Sequence, residues 1–303
     1  MKLHQLRYFV AVVDTGSFSR AATRCGVTQP SLSQQIIKLE KELELSLFDR
    51  LGRSIAVTEA GHLFYPRAKR ILADVDEARD MLAEELTEGH GHLSVGAIPT
   101  AAPYLLPCAL AGFRTQWPDA ELSITEDMTE NLIRQLVDAE IDMAVMAAPL
   151  DDERIQMEPI AEERLVCVAP ADHPLAQRDS VGRDELNDHP LIVLHEVHCL
   201  SQQVRAFCLS HRVTPRINCR AGQLSTLIHL VGLGLGISLI PQSAYTQQGT
   251  HLGVVPLEGP PVTRTLVAAW NASRQRPRLG SSLVDQVAEI ARTSSDFLPV
   301  SSP

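Results

Sequence analysis

A regular apolar repeat between residues 58 and 87 constrains the fold of this chain more than any other feature. Six apolar residues there are separated alternately by four and three positions: Phe64, Ala68, Ile71, Val75, Ala78 and Leu82. A 3.5-residue repeat is typical of helices that pack lengthwise against a partner helix. Pro66 falls near the first turns, where a helix tolerates proline. The repeat predicts a dimerising linker helix over residues 59–88, although a helix lying on its own domain could show the same pattern.

This linker divides a chain of 303 residues, which is too long for one ordinary domain. The apolar fraction of 45% and the charged fraction of 21% are those of a globular protein. Charge is unevenly placed, because residues 1–58 carry a balance of +3 within a chain whose net charge is −10. A small basic head on an acidic body can still present a surface that binds phosphate. We therefore expect separate domains over residues 1–58 and 89–303.

Several classes of protein are excluded by the same sequence. The longest apolar run, Leu227–Pro241, contains His229 and three glycines and is too short to cross a bilayer. Asp14 interrupts the first apolar stretch at once, which argues against a signal peptide. Six scattered cysteines in so long a chain do not indicate a disulfide scaffold. A cytoplasmic location is expected, and any disulfide should be transient and regulatory.

The first 58 residues predict three short helices followed by a hairpin. Apolar residues recur at helical spacing from Leu3 to Val13, and Gly16 then ends the pattern. A second helix over residues 19–25 ends at Gly26, and Thr28 caps a third. Two helices joined by a turn that contains glycine form the helix-turn-helix pattern. The basic segment 50–54 then predicts a wing.

Candidate DNA contacts lie on the third helix and on the wing. Leu39 and Leu43 define the buried side of this helix. A DNA-binding role for the opposite, polar face is therefore favoured over the alternative that this face is only solvated. Recognition helices meet base edges with their first turns, where glutamine suits adenine and serine contacts bases or phosphate. The candidates on the helix are Gln29, Ser31, Ser33, Gln34 and Lys38, and the candidates for phosphate on the wing are Arg50 and Arg53.

Beyond the Gly89-His-Gly91 hinge, short apolar strands alternate with helical stretches. This alternation predicts mostly parallel sheets with helices on both faces. About 215 residues suit two such lobes better than one. We place lobe I at about 89–162 plus 266–303 and lobe II at about 163–265.

One predicted helix, Leu200–Ser210, carries the chemistry of greatest interest. Cys199 precedes it and therefore lies at a helix N-terminus, where free N–H groups and the helix dipole favour a thiolate and His198 could add a donor. A thiolate can attack peroxide and form sulfenic acid. Cys208 falls on the apolar side of the same helix. The alternative is that both are unrelated core cysteines.

Three polar residues could support such a thiol. Thr100 and Thr129 follow predicted strands, and the carboxyl ends of strands are where open α/β folds bind ligands. A threonine at that position is often only an N-cap, which is an equal alternative for Thr129. Arg264 opens a strand, where its guanidinium could hold the thiolate or simply be solvated.

Two other motifs favour simpler interpretations. Histidines and cysteines between His195 and Cys219 match no compact zinc-ligand spacing, so no metal or cofactor is expected. The glycines of Gly232-Leu-Gly-Leu-Gly236 follow a helix and precede a strand, the reverse of a dinucleotide-binding loop, and predict a turn. The remaining cysteines are expected in the core: Cys25, Cys108, Cys167 and Cys219.

The head resembles the LysR family of transcription regulators over some 60 residues. The motifs fall in the family's order: Leu6-Arg-Tyr-Phe9, Gly16-Ser17-Phe18, Ala21-Ala22, Val27-Thr-Gln-Pro-Ser-Leu-Ser33, Leu39-Glu-Lys-Glu-Leu43, Leu47-Phe48-Asp49-Arg50 and Thr58-Glu-Ala-Gly61. The resemblance implies an α+β protein with a winged helix-turn-helix, a long linker helix and a two-lobed α/β effector domain like a periplasmic binding protein. It also implies double-stranded DNA as a partner, with RNA polymerase a further candidate.

The body resembles the peroxide-sensing members of that family. The likeness rests on His198-Cys199-Leu200, on Phe207-Cys208 and on Thr100, with Thr129 and Arg264 at the positions of that group's site hydroxyl and guanidinium. It implies hydrogen peroxide as signal, a reactive Cys199, a resolving Cys208 and a homotetramer built as a dimer of dimers. This chain departs from the group at Val197, where glycine is usual, and at Ser201-Gln202, where Arg-Asp is usual.

The implied pair has a geometric consequence. Nine residues of helix separate the two cysteines by about 13.5 Å along the axis and about 180° around it. A disulfide needs Cα atoms within about 7 Å, so that oxidation must unwind the helix. Two alternatives stay open: a LysR-type regulator that binds a small organic effector, with Cys199 incidental, and a thiol peroxidase. The head argues against an enzyme.

Overall fold

The first three helices of the N-terminal unit begin and end at the residues that the sequence indicates. The computed structural model describes residues 1–51, 54–86, 91–248 and 252–298. In it α1 spans Leu3–Thr15, α2 spans Phe18–Arg24 and α3 spans Gln29–Leu43. Gly16 ends α1 with φ of +60°, a left-handed conformation that favours glycine. Ser17 and Thr28 cap α2 and α3 by accepting backbone N–H groups. The three predicted helices are confirmed.

A hairpin and a long helix complete this unit. Strands β1 (Phe48–Leu51) and β2 (Ser54–Val57) pair antiparallel, and α4 spans Glu59–Leu86. The core of the unit is built on Phe9, whose ring lies 5.5 Å from that of Phe48 and 5.3 Å from that of Phe64. These contacts pack the start of α4 and the hairpin against α1. The predicted helical linker is confirmed as a helix.

The apolar repeat of α4 divides into two parts. Ala68 is buried, and Phe64 and Ile71 pack against the core of their own unit. Further along the helix, Val75 is half-buried and Ala78 is exposed. The side chain of Leu82 lies outside the described residues. The first half of the repeat therefore serves the N-terminal unit itself, and a dimerising role for the second half stays a prediction.

The second unit contains the rest of the chain from residue 89, apart from residues 138–140. Its helices are α5 (Ala102–Gln116), α6 (Thr129–Val137), α7 (Cys199–Ser210), α8 (Leu224–Gly232), α9 (Gln242–Gln248) and α10 (Arg278–Thr293). Its strands are β3 (Gly91–Ala97), β4 (Ala120–Glu126), β5 (Met143–Ala147), β6 (Ile155–Pro170), β7 (Leu191–Leu194), β8 (Ile217–Ala221), β9 (Ser238–Pro241), β10 (Leu252–Val255), β11 (Thr263–Asn271) and β12 (Phe297–Leu298). Strands and helices alternate as predicted.

Strand direction differs from the prediction. The main sheet has the order β10-β6-β11-β5-β3-β4, and β9 and β12 also pair with β6. Among the paired strands of the described residues, β3–β4, β3–β5 and β7–β8 are parallel, whereas every pair that involves β6 or β11 is antiparallel. The expectation of mostly parallel sheets is wrong, because two long strands run between the lobes in opposite directions.

The second unit contains two hydrophobic cores, one for each predicted lobe. One gathers β3, β5, α5 and α10, and the other gathers β7, β9, α7 and α8. Strand β6 contributes Ile160 and Ala161 to the first core and residues 165–169 to the second. The lobe boundaries predicted above stay predictions. Among the described residues, no helix combines the length and apolar character that a membrane span requires.

Candidate functional site

Cys199 is the first residue of α7, as the sequence predicts. Strand β7 ends at Leu194, and a tight turn follows in which the N–H of His198 donates to the carbonyl of His195 at 3.1 Å. The first turn of α7 contains no acidic residue and His198 provides no side-chain cap. Backbone N–H groups at this helix end therefore provide the positive potential that a thiolate at Cys199 would need.

The turn before Cys199 is held by two side chains from the first turn of α7. Buried Ser201 donates its hydroxyl to the carbonyl of Leu194 at 2.9 Å, and Gln202 donates to the carbonyl of Glu196 at 3.3 Å. These are the two residues that replace the usual Arg-Asp pair. In this chain they fix the turn geometry through uncharged hydrogen bonds.

His198 is 3% exposed and braces the same turn against β8. Its Nε2 lies 2.9 Å from the carbonyl oxygen of Gly222, and since a carbonyl only accepts, Nε2 carries the proton. No hydrogen bond joins His198 to Cys199 within the described parts of the chain. The observed contact of His198 is therefore that of a positioning residue.

The two cysteines of α7 face different cores. Cys199 is half-buried and packs against the core of lobe I, whereas Cys208 is 8% exposed and belongs to the core of lobe II. Both thiols are free, and an unbroken helix separates them. Burial raises the pKa of the Cys208 thiol above its ordinary value of 9.0. Burial therefore favours the neutral thiol over the thiolate at Cys208.

Thr100 and Arg264 are joined in a buried network. Arg264, 3% exposed, donates from Nη1 to the hydroxyl oxygen of Thr100 and from Nη2 to its carbonyl oxygen, both at 2.8 Å. Its Nε donates to Glu163 at 2.7 Å, and Glu163 also accepts from the hydroxyl of Ser243. The alternative that Arg264 is solvated is wrong, because its guanidinium is buried and paired with the carboxylate of Glu163. Sequence reasoning missed Glu163 and Ser243.

Two buried oxygen atoms near the strand ends have no hydrogen-bond partner in the described structure: Thr129 Oγ1 and Gln203 Oε1. Thr129 begins α6 without capping it, so that the N-cap alternative is wrong. Gln203 follows Cys199 by one helical turn, which places both on one face of α7, and its Nε2 donates to the carbonyl of Ala148 at 3.2 Å. Such unpaired oxygens would accept a hydrogen bond from a small hydroxylic ligand.

A cavity of about 410 Å³ borders the turn before Cys199. Met128 of lobe I and residues 195–198 of lobe II line it, together with Arg220 and Gly222. Arg220 lies 3.6 Å from the carboxylate of Glu196, so that the wall carries both charges. Sequence reasoning did not indicate this cavity, since its wall forms only when β7 and β8 pair.

The other four cysteines occupy different surroundings. Cys167 is fully buried, and burial raises the pKa of its thiol to about 12. Cys25 and Cys219 are half-buried, and burial also raises the pKa of the Cys25 thiol. Cys108 is exposed, so that its expected place in the core is wrong. No group of His, Cys, Asp and Glu within the described residues could hold a metal ion.

The candidate DNA residues of α3 lie opposite its buried face. Leu32, Ile36 and Leu39 are buried, whereas the N-terminal part of the helix presents mostly exposed polar residues. Gln29, Ser31, Gln34 and Lys38 are exposed, and Ser33 is half-buried. The side chain of Arg50 and the whole of Arg53 lie outside the described residues, so that the wing contacts stay predictions.

Family models match nearly the whole chain. The model of the bacterial regulatory helix-turn-helix proteins of the lysR family matches residues 3–62, and the LysR substrate binding domain matches residues 87–292. The chain therefore belongs to the LysR family. This assignment confirms the resemblance that the N-terminal motifs and the two-lobed body indicate.

Relatives within the family are more specific. The DNA-binding transcriptional dual regulator OxyR of Escherichia coli is 33% identical over 301 residues, 98% of this chain and 96% of that protein. Full-length OxyR of Pseudomonas aeruginosa, with a cysteine replaced by aspartate, gives a TM-score of 0.78 at 32% identity and covers 95% of this chain and 98% of that one. A Corynebacterium glutamicum OxyR mutant with hydrogen peroxide bound gives 0.64 at 33% identity, with 96% of each chain covered.

Proposed function

We propose that this protein is a sequence-specific DNA-binding regulator of transcription, not an enzyme, that senses hydrogen peroxide through a reversible Cys199–Cys208 disulfide. The observation that carries the proposal is the arrangement of the two thiols on α7. Cys199 lies at the helix N-terminus against one core, and Cys208 is buried in the other. Relatives named as hydrogen peroxide-inducible genes activators support the signal.

The chemistry has two steps. The Cys199 thiolate attacks one peroxide oxygen, the O–O bond breaks, and the departing hydroxide takes a proton to become water, which leaves a sulfenic acid. The Cys208 thiol then loses its proton and its thiolate attacks that sulfur, the S–O bond breaks, and the departing hydroxide takes up a proton to become a second water. The second step requires α7 to unwind, since nine helical residues place Cys208 about 13.5 Å along the axis from Cys199.

The polar residues proposed to serve Cys199 have defined roles. Thr129 Oγ1 and Gln203 Oε1 are the unpaired oxygens available to a peroxide hydrogen. Thr100 already accepts a hydrogen bond from Arg264, so that its own hydroxyl proton is free to be donated. Arg264 thus supports the site by orienting Thr100, and His198 supports it by holding the turn.

DNA binding is assigned to the N-terminal unit. Gln29, Gln34 and Lys38 are exposed on α3 and are proposed to meet base edges and backbone. Ser31, Ser33, Arg50 and Arg53 complete the proposed interface. The functional state is a homo-oligomer, with a dimer of dimers proposed and RNA polymerase a further partner.

Mass spectrometry after brief exposure to substoichiometric peroxide tests the redox step. We expect one intramolecular disulfide, Cys199–Cys208, in the wild type. Cys199→Ser should abolish the response, and Cys208→Ser should stop at sulfenic acid, which over-oxidises. Cys108→Ser is the matched control, because Cys108 is an exposed thiol remote in sequence from α7. A Cys199→Ser protein that still responds to peroxide would contradict the proposal.

A second candidate is a regulator that responds to a small organic effector. The cavity of about 410 Å³ beside the turn is the observation that favours it. Under that function a Cys199→Ser variant keeps its response to the effector, whereas the redox sensor loses its response to peroxide. Sustained turnover of peroxide with a thiol donor would instead indicate a thiol peroxidase.

A further inference from the structure

The C-terminal end of α7 is fastened to the rest of lobe II by a side chain that neither step of the redox chemistry uses. Arg183 lies in the segment before β7 and reaches the last turn of α7. Its guanidinium stacks 5.9 Å from the ring centroid of Phe207 and donates to Nε2 of His211. Phe207 directly precedes Cys208, so that Arg183 contacts both sides of the turn that carries this thiol.

The other edge of the same guanidinium is fixed independently of α7. Nη2 of Arg183 donates to the carbonyl of Pro260 at 2.7 Å. Gly259, with φ of +86°, passes so close that a Cβ there would lie 3.2 Å from Nη2. Arg183 therefore spans from the β10–β11 loop to α7, with one end anchored whether or not the helix is formed.

His211, the partner of Arg183 Nη1, also contacts Phe207. A guanidinium only donates, so Nε2 of His211 accepts in this contact and Nδ1 is the nitrogen left to donate. Nδ1 lies 3.0 Å from the carbonyl oxygen of Phe207, to which it donates. The imidazole also stacks on Phe207, with the ring centroids 4.7 Å apart. Arg183, His211 and Phe207, here called the latch, form one contiguous unit.

The backbone at this helix end contains a strained residue, which opposes the stabilising effect of the latch. Val213 N–H donates to the carbonyl of Cys208 at 2.8 Å, and Arg212 N–H donates to that of Leu209 at 3.2 Å. This is the Schellman pattern, and it places Arg212 in the left-handed region with φ of +58°. That position favours glycine, so that a side chain there destabilises the helix end. The turn that holds Cys208 is thus strained in its backbone and fastened by the latch.

We propose that Arg183 is a positioning residue that sets how readily the last turns of α7 unwind, and hence the rate at which Cys208 reaches oxidised Cys199. The inference rests on the proposed function. All contacts of the latch with α7 are lost when the helix unwinds, so they stabilise the closed form alone. Phe207 is eight residues, or about 12 Å, from Cys199, so that sulfenic acid formation does not depend on the latch.

The test separates the two steps in the full-length protein treated with hydrogen peroxide. Trapping of Cys199 sulfenic acid with dimedone measures the first step, and mass spectrometry of the quenched protein follows the disulfide. Arg183→Gln should leave the first rate unchanged and accelerate the second about tenfold, the value of a hydrogen bond to a charged group. Arg212→Gly should slow the second step about threefold, because it relieves the strained position in the closed form.

Arg178→Gln is the matched control, since Arg178 forms an exposed ion pair with Glu185 in the same segment and contacts nothing on α7 in the described structure. Equal disulfide rates in the Arg183→Gln and Arg178→Gln proteins would overturn the inference. Should Arg183→Gln fail to fold, Arg212→Gly decides alone, and an unchanged second step in it overturns the inference. Absence of dimedone adduct in a Cys208→Ser protein, where the second step cannot consume the sulfenic acid, would instead refute the proposed function.

Discussion

Arg264 and Glu163 are opposite charges almost completely removed from water, and neither can be changed alone without leaving the other unpaired. Both side chains are no more than 1% exposed, and Nη2 lies 2.6 Å from the carboxylate. A buried ion pair contributes little compared with apolar residues of similar size, but its disruption on one side is costly. The network with Thr100 therefore has the rigidity that the candidate site needs.

Arg264→Met should lower the free energy of unfolding by about 3–5 kcal/mol, because it leaves the carboxylate of Glu163 buried without a counter-charge. Urea unfolding followed by fluorescence measures the change. Arg292→Met removes an exposed pair with Glu289 and should cost less than about 1 kcal/mol. The double variant Glu163→Gln with Arg264→Met should recover part of the loss. No recovery in the double variant would show that packing, not charge, causes it.

Cys208 couples its ionisation to the opening of α7. Its pKa is raised in the folded segment, so the closed helix binds the proton more tightly than the open one. Opening is therefore indifferent to pH below the ordinary thiol pKa and becomes progressively easier as the pH rises above it. The resolving thiolate exists mainly in the open form.

Alkylation of Cys208 by iodoacetamide in a Cys199→Ser protein should follow this coupling. The rate should rise about tenfold for each pH unit, since thiolate is the reacting species. It should keep rising past 9.0, the ordinary value, until the raised pKa is reached. N-acetylcysteine, a free thiol, provides the control and levels off at its own pKa. A Cys208 rate that levels off with the free thiol would mean that burial does not protect it.

At the scale of elements, the reactive helix was predictable and the frame around it was not. Local signals placed α7, because Leu200, Val204 and Phe207 repeat at helical spacing after a buried strand. The sixteen residues of β6 were predicted only from Arg164 onwards, since its first half contains the exposed run Gln156–Pro159, which ends in a proline and shows no strand pattern. Its partners come from residues far along the chain, and such pairings leave no local pattern.

Some residues of the candidate site were predictable from the sequence, and others were not. Cys199 and Thr100 could be selected from the sequence, because each follows a predicted strand, whereas Cys208 was selected through the resemblance to the peroxide-sensing members of the family. Glu163 and Ser243 could not be, because only the crossing of β6 by distant elements brings them to Arg264. The unpaired oxygen of Gln203 likewise becomes visible only once α7 packs against the loop at Ala148.

The second half of α4 offers the sharper test of the dimer prediction. Ile71 already packs in its own unit, so that a charge there would disturb that core as well. Val75→Glu combined with Ala78→Glu adds charges only to the half-buried and exposed part of the repeat and should shift sedimentation toward monomers. Ala73→Glu, on the opposite face of the helix, should leave the oligomer intact. A stable oligomer in the double variant would contradict a seam in this half.

At the scale of the whole molecule, charge limits where DNA can be bound. The chain carries −10 overall, whereas residues 1–58 carry +3, so the body repels a polyanion that the head attracts. Affinity should then depend on a few contacts at the head. Each phosphate contact releases bound cations from DNA, so that the salt dependence of binding counts such contacts.

Variants of α3 should differ in effect according to whether the side chain contacts phosphate or a base. For a duplex selected by the protein from a randomised pool, Lys38→Ala should weaken binding to all sequences and reduce the slope of log K against log salt by about 1. Gln34→Ala should instead relax preference at one base pair, at a cost of about 1–3 kcal/mol for the selected site, and keep the slope. Lys41, which lies in the last turn of α3, gives the control: Lys41→Ala should change neither quantity. An unchanged slope in Lys38→Ala would show that Lys38 does not contact phosphate. The phosphate contacts of the head would then be assigned to the wing.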